Sequence, residues 1–299
     1  MSLETSVGTG KPYGLQRVCL TLNFPRSSIY AERARAKATV VPIARLKRGP
    51  KPKVPDAVLL EAIRVDLASS PFTGEGHRKV WARLRILHDI RASRARVLRL
   101  MREHHLLSPH RKPQGEPNLH DGHITTDTPN EMWGTDGVRI QTVDDGMVWI
   151  FSAVDHCDGL CTGIHTAKLG DRFAALEPIS QGLQSEFGSV AAGIGKGLKL
   201  RMDHGSQYTS DDFRDQIKFW GITPSYAFVA EPQTNGVAER FNRTMKEQAI
   251  HGRIFLNVEE VRAAALAFKD RYNREWRLEK LGFMSPLEAR QASLMKQAA

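Results

Sequence analysis

The apolar residues of this 299-residue chain change their period once, across a stretch that supports neither period. Before His110 they recur three and four apart, as on helices. After Asn130 they alternate, and then short alternating runs are interleaved with helical ones. The segment between, rich in Pro, Gly, His and Thr, breaks both patterns. Such a chain folds as two unlike parts, one helical and one built on a sheet.

Three short amphipathic helices are expected in the first part. In 55–70, Leu59, Ile63 and Leu67 lie at helical spacing behind Pro55 and Asp56, which suit a helix start. In 77–90, Val80, Leu84 and Leu87 form the apolar stripe, with Arg78, Lys79, Arg83 and Arg85 largely off it. In 91–107, Ser93 suits an N-cap; Val97, Leu100 and Met101 face inward, and Arg94, Arg96, Arg99 and Arg102 face out. The last two helices are joined by a few residues, which fits a helix-turn-helix with its arginines on phosphates or guanine edges. A small helical bundle with a basic face fits the same pattern. Upstream, 14–33 reads as a further helical pair broken at Asn23-Phe24-Pro25, and 46–53 as a basic Pro/Gly linker.

Charge divides the chain in the same way. Through Gly122 there are 23 Lys and Arg against 10 Asp and Glu, a net of +13; the remainder carries 20 against 23, a net of −3. A basic part beside a near-neutral one suggests a polyanion-gripping module next to a module with other work. No run of eighteen apolar residues is present, and the first residues lack the apolar stretch of a secretory leader. A membrane span and export are therefore not expected. Three cysteines, an odd number, argue against a disulfide framework.

In the second part, 138–143 and 147–154 flank Asp144-Asp145-Gly146, a strong hairpin signal. Strands are further expected at 161–168, 198–202 and 223–229, and helices at 171–187 (despite Pro178), 210–221, 237–250 and 258–275. Three meandering strands followed by strands alternating with helices describe a mixed α/β sheet.

Most acids of this part have structural readings. Asp144 and Asp145 belong to the hairpin turn, while Asp171, Asp211 and Asp212 sit in first helical turns. Asp158-Gly159 suits a turn, and Asp155, at a strand end, stays a minor chemical candidate. Asp136 entering the first strand, Asp203 ending the fourth and Glu239 in the first turn of a helix are better placed. Each alone reads as a turn, cap or first-turn acid. Together, converging carboxylates repel one another unless a cation neutralises them, and Mg²⁺ or Mn²⁺ suits carboxylate oxygens. His156, Cys157, Cys161 and His165 also cluster, but their flanks read as strands and a turn, so zinc is not expected.

The stretches around these acids resemble a known family. Asp136 in WGTDG, then MDHGSQYTSDDF, then NGVAERFNRTMKEQ, with 35 residues between Asp203 and Glu239, are similar to the DDE transposases of the bacterial insertion-sequence three family. The likeness is to their second-reading-frame protein, which has a retroviral-integrase-like catalytic core. Lys246, seven after Glu239, matches a basic residue that those proteins place on DNA. The stretch 76–107 looks like their helix-turn-helix segment. Trp276-Arg277-Leu278 departs from their usual tail, and Pro232-Gln233-Thr234-Asn235-Gly236 from their usual approach to the Glu.

The resemblance implies a ribonuclease-H-like integrase core, a mixed five-stranded sheet flanked by helices, preceded by an all-α helix-turn-helix DNA-binding region. The expected division is 1–48 basic helical segment, 49–109 DNA-binding domain, 110–125 linker, 126–291 catalytic core and 292–299 tail. It implies that Asp136, Asp203 and Glu239 bind two Mg²⁺ (or Mn²⁺) ions and carry strand cleavage, then strand transfer, at the ends of a mobile element. Lys246 and Arg243 would hold phosphates; Asn235, Ser206 and Gln207 would contact DNA or brace the carboxylates; Arg94, Arg96 and Arg99 would engage element ends. Implied partners are DNA, a second copy of the chain in a dimer or larger assembly, and a partner reading frame. The implied location is the bacterial cytoplasm, on DNA. Two other readings use the same architecture: a catalytically silent DNA-binding regulator of transposition and a ribonuclease-H-like host nuclease.

Overall fold

The computed structural model describes residues 4–37, 53–108, 126–227 and 235–298. Most of the 46–53 linker, the whole 110–125 linker, the end of the fifth expected strand and Pro232–Thr234 lie outside the described residues. The chain divides into two compact units, Met1–Lys53 and Val54–Ala299. In the first, α1 (Leu15–Thr21) and α2 (Arg26–Lys37) form the expected pair, and Asn23 between them takes a positive φ of 49°.

In the second unit, α3 (Asp56–Ser69), α4 (His77–Ile86) and α5 (Arg94–Glu103) pack around Leu59, Ile63, Val80, Leu84, Val97, Leu100 and Met101. The Ser93 side chain caps α5, accepting from Arg96 N. Arg83 departs from its expected place on a solvent face. It is buried, bonded to Asp66 at 2.7 and 2.9 Å and to Glu75, and it joins α3, α4 and the loop between them. A guanidinium fork with two carboxylates is satisfied without water, so part of the charge lying off the apolar stripe is an internal ion pair.

The sheet has the order β3-β2-β1-β4-β5, from β1 (Met132–Gln141), β2 (Met147–Asp155), β3 (Cys161–Ala167), β4 (Lys199–Met202) and β5 (Thr223–Tyr226). β1 to β3 form an antiparallel meander; β4 and β5 run parallel to β1. β1 begins earlier than the alternation suggested, at Met132, because Trp133 and Thr135 are buried and continue the pleat upstream of the two glycines. On one face lie α6 (Arg172–Phe187), α7 (Ser206–Thr209) and α8 (Asp211–Phe219), burying Trp133, Phe151, Leu183, Tyr208 and Phe213. On the other lie α9 (Gly236–Met245), which widens into a π turn at Lys246–Ile250, and α10 (Val258–Glu275), burying Val138, Ile150, Phe241 and Phe268. The final helix, α11 (Pro286–Ala298), runs through the expected tail boundary at 291. Among the described residues no helix is long and apolar enough to cross a membrane.

Pro178 inside α6 is accommodated by the sheet. The helix lies so close to β3 that a Cβ on Gly163 would sit 1.9 Å from the Pro178 carbonyl oxygen. Backbone cannot yield as a side chain would. Gly163→Ala is therefore expected to destabilise the fold by at least the roughly 1–3 kcal/mol typical of overpacking, read as a lower denaturation midpoint. An unchanged midpoint would show that α6 can move away.

The helical module and the sheet domain belong to one unit, and the chain around Trp276 joins them. Phe72, between α3 and α4, meets Trp276 edge-on at 4.8 Å, and the Lys79 ammonium lies over the same ring. Trp81 meets Phe283 at 5.8 Å, Arg78 pairs with Glu279 at 2.7 Å, and Thr73 and Gln248 exchange two 2.9 Å hydrogen bonds. The tail that departs from the family pattern is thus the seat of the helical module.

Candidate active site

β1 and β4 pair in parallel only from Met132↔Lys199 to Gly134↔Arg201. Asp136 stands two residues beyond Gly134, and Asp203 two beyond Arg201. The register that aligns the strands therefore brings both carboxylates to the same level, where pairing stops. Asp136 lies inside β1, opposite Ser152 of β2, rather than at the strand entrance. Asp203 follows the last residue of β4, as expected from the sequence. Its Oδ1 accepts from Gly205 N at 2.8 Å, which turns the chain sharply out of the sheet. His204 anchors that turn on the other side, bonding Ala227 O at 2.8 Å and stacking on Tyr226.

α9 brings the third acid and is fastened to β1 on both sides of it. At its start, Asn235 donates to Thr135 O at 3.0 Å. One turn beyond Glu239, Asn242 donates to Asp136 Oδ2 at 3.0 Å and accepts from Ser152 at the same distance. The other Asp136 oxygen accepts from Gly137 N at 2.8 Å. Ser152, Asn242 and Asp136 thus form a chain that fixes the carboxylate's rotamer. Neither Asn242 nor Ser152 was identified from sequence. The available signal was the asparagine one helical turn after Glu239, on the same face.

Electrostatics ties the three acids together. Asp136 holds its proton more tightly than an ordinary aspartate; burial is the largest cause and the Asp203 charge adds to it, against Asn242, Gly137 N–H and Lys246. Glu239 is raised too, first by partial burial, then by Asp136, with Asp203 adding and Arg243 opposing. Their negative charge is incompletely compensated by the chain itself. Among the described residues no three Asp, Glu, His or Cys side chains are gathered closely enough to hold a metal ion as they stand. The donor set nevertheless fits one: its oxygens are hard, their charges repel, and nearby cations leave the acids with raised proton affinity.

The other expected contacts separate into two groups. Lys246 and Asp203 line one groove with Ser206 and Gln207, and Arg243 is exposed on α9. The Gln207 amide folds back into the space beside Gly205, where a Cβ would lie 2.5 Å from it. Asn235 is different: it is 3% exposed, and it braces the Thr135 carbonyl of β1 rather than a carboxylate. Gly236 meets no close neighbour that would require a glycine. In the helical module all three expected arginines have acidic partners. Arg94 meets Glu279 at 3.6 Å, Arg96 bonds Asp56 and Val54 O, and Arg99 bonds Asp56 and Glu103. These pairs hold Asp56 below the usual carboxylate range, Arg99 contributing most. The helix that was expected to face DNA with open arginines has them engaged within the chain.

Two further clusters are structural. Asp155, the minor candidate, is fully buried beside Arg290 and takes no part in the acid group. Cys161 is buried, its thiol pushed up to about 12, and His156 is buried with its ring pushed down to about 4, mainly by burial. A thiol so reluctant to ionise is a poor zinc ligand.

Known sequence families match both parts of the chain. The integrase core domain family matches residues 126–232 and again 220–286, and an HTH-like domain family matches 70–114. The chain is 27% identical over 227 residues to the transposase for insertion sequence element IS629 of Shigella sonnei, spanning 73% of this chain and 74% of that one. It is 29% identical over 224 residues to transposase InsD for insertion element IS2D of Escherichia coli, spanning 71% and 72%. Among solved structures, a simian T-cell lymphotropic virus intasome chain aligns with TM-score 0.46 at 16% identity, over 77% of this chain and 74% of that one. The catalytic core domain of BIV integrase aligns with TM-score 0.41 at 22% identity, over 57% and 99%. The HTLV-2 integrase catalytic core domain, in complex with magnesium, aligns with TM-score 0.41 at 16% identity, over 54% of this chain and 97% of that one. The chain belongs to the DDE-type, integrase-core transposases of insertion sequences.

Proposed function

We propose that Asp136, Asp203 and Glu239 are the catalytic carboxylates of DNA strand cleavage and strand transfer, holding two Mg²⁺ or Mn²⁺ ions. In the first step water attacks a phosphodiester at the element end and frees a 3′-OH. In the second, that 3′-OH attacks a phosphodiester of target DNA, forming a new P–O bond while the target strand's own 3′-oxygen leaves as a 3′-OH. When bound, the metal ions supply charge stabilisation for the attacking and leaving oxygens of an in-line displacement. The chain's own groups do the positioning. Asn242 and Gly137 N–H keep the Asp136 carboxylate in one rotamer, and Asn235 holds α9 against β1. Lys246 and Arg243 bear on phosphates, with Ser206 and Gln207 at the edge of the groove. Arg94, Arg96 and Arg99 reach element ends by exchanging Glu279, Asp56 and Glu103 for phosphate. The chain works on DNA in the bacterial cytoplasm, with at least two copies pairing two ends and a partner reading frame supplying further end recognition.

The observation that carries this reading is the register match of Asp136 and Asp203, each two residues past the last β1–β4 pair, with Glu239 coupled electrostatically to both. The test is joining of a precut DNA end by the full chain. A transposase joins it to target; a host nuclease only cuts; a silent regulator does neither. The raised carboxylates also set a pH dependence. Protons compete with metal for Asp136 and Glu239, so the apparent Mg²⁺ affinity falls as pH is lowered, beginning above the ordinary carboxylate range. Flat metal affinity down to that range would count against both residues as ligands. Lys246→Ala is expected to weaken DNA binding and to lower the salt slope by about one unit; an unchanged slope would remove Lys246 from the phosphate contacts.

A further inference from the structure

Beyond Gly134, β1 continues to Gln141 while β4 has ended at Met202, so its edge on that side is open. The space left is a groove of about 800 Å³, within the range of small-molecule sites. Asp203, Gly205 and Lys246 lie along it at the catalytic end, and Arg139 and Trp149 at the other. Arg139 and Trp149 are cross-strand partners, and the guanidinium carbon lies 5.5 Å from the centre of the indole. The indole itself is held firmly. It stacks on Phe151 with an interplanar angle of 3°, and the chain at Gly170 lies so near that a Cβ there would come within 2.2 Å of it. Among the described residues no carboxylate pairs with Arg139, in contrast to Arg83, Arg94, Arg96, Arg99 and Arg290.

An exposed arginine normally spreads over many rotamers, and ordering it opposes binding. Stacking on a fixed indole removes much of that freedom in advance and leaves the guanidinium N–H edges for a planar acceptor. The groove is walled by two cations, Arg139 and Lys246, and its one acid belongs to the reacting centre. Because the groove runs on from Asp203, an anion held by Arg139 there is the one next along from the reacting group, as successive phosphates are along a nucleic-acid backbone.

We propose that Arg139, laid on Trp149, is a phosphate clamp for the DNA strand next to the phosphodiester that reacts at Asp203. The clamp rests on the functional reading above and adds a positioning residue to it: Arg139 fixes the neighbouring phosphate and thereby the line of attack. The test uses the full chain and duplexes taken from the DNA flanking its reading frame, with single methylphosphonate linkages placed in turn on either side of the reacting phosphate. Binding and Mg²⁺-dependent joining at saturating DNA are both measured. One neutralised linkage within a few nucleotides of the reacting phosphate is expected to weaken wild-type binding and slow joining about tenfold. Arg139→Ala should show the same losses and no further loss with that linkage, and Arg139→Lys, a point charge without the planar fork, should recover only part. Trp149→Phe, which keeps a ring beneath Arg139, should fall between wild type and Arg139→Ala. If Arg139→Ala matches wild type, or if each neutral linkage penalises variant and wild type equally, the clamp is overturned. Should wild type bind but fail to join, the catalytic reading fails, while the binding arm still decides the clamp.

Discussion

Asp136→Asn is expected to lose cleavage and joining altogether and yet to melt at a higher temperature than wild type in metal-free buffer. The first effect follows from the site. Asp136 is the most restrained of the three acids, held by Asn242 and Gly137 N–H on separate oxygens. Loss of one electrostatic stabiliser from an active site costs about 10²–10³ in rate, and loss of a charged metal ligand should cost at least as much. The second effect follows from linkage. The folded-state pKa of Asp136 lies above its unfolded value. The folded protein therefore gains stability on protonation as pH falls, and at neutral pH the ionised carboxylate costs stability. Asn keeps the shape and removes that cost. Both Asp136 oxygens accept from N–H donors, so the new NH2 faces Asn242, whose amide turns over to accept from it and donate to Ser152. Thermal scans with and without Mg²⁺ check it: metal should raise the Tm of wild type and leave Asp136→Asn unmoved, with end binding largely retained in both. A variant that joins at a near-normal rate in Mg²⁺, or that gains as much Tm from Mg²⁺ as wild type does, would take Asp136 out of the site.

β4 was readable from sequence because its alternation is regular up to the acid that follows it. Leu198, Leu200 and Met202 alternate up to Asp203, and the structure buries all three. Ser93 was legible as a cap for the same local reason and accepts from the amide three residues on, whereas Asp171, expected within the first helical turn, is itself the cap of α6. What could not be read depends on groups far apart in the chain. Ser152 and Asn242 are 90 residues apart and meet only because α9 crosses the sheet. Arg83 has the spacing of a surface arginine, and only the return of Asp66 and Glu75 makes it internal. The arginines of α5 were correctly placed off the apolar stripe, but periodicity says nothing about whether Asp56 or Glu279 lies opposite. The early start of β1 was hidden by Asp136-Gly137, which reads as a turn. Gly137 instead makes room for the Phe151 ring, from which a Cβ would be only 2.6 Å away.

Arg290→Leu is expected to be the most destabilising single change outside the apolar core. Arg290 is 4% exposed and reaches three carboxylates from α11: Asp158 at 2.6 Å, Asp155 at 3.0 Å, and Glu186 of α6. Asp155 is held in addition by Asn130 N and Cys157 N, each at 2.7 Å, so it cannot turn out to water when the guanidinium is removed. Breaking a buried pair from one side costs about 3–5 kcal/mol because the remaining charge stays behind, and here more than one charge remains. In a domain of this size each kcal/mol lowers Tm by about 2–4 °C. The pH dependence gives the loss a signature. Burial and the Asp158 charge already push Asp155 up to about 6 against the pull of Arg290, and removing Arg290 pushes it higher. A carboxyl raised in the folded state takes up a proton on folding, so its cost is small at low pH and grows as pH rises through the folded pKa. The Tm difference between wild type and Arg290→Leu should therefore be smallest near pH 5 and widen toward pH 8. Asp155→Asn added to Arg290→Leu should recover part of the loss at the upper end only. Because Asp155 holds Asn130 at the entrance to β1, the same variant should also reduce joining more than end binding. A pH-independent Tm deficit would assign the loss to packing of α11 rather than to stranded charge.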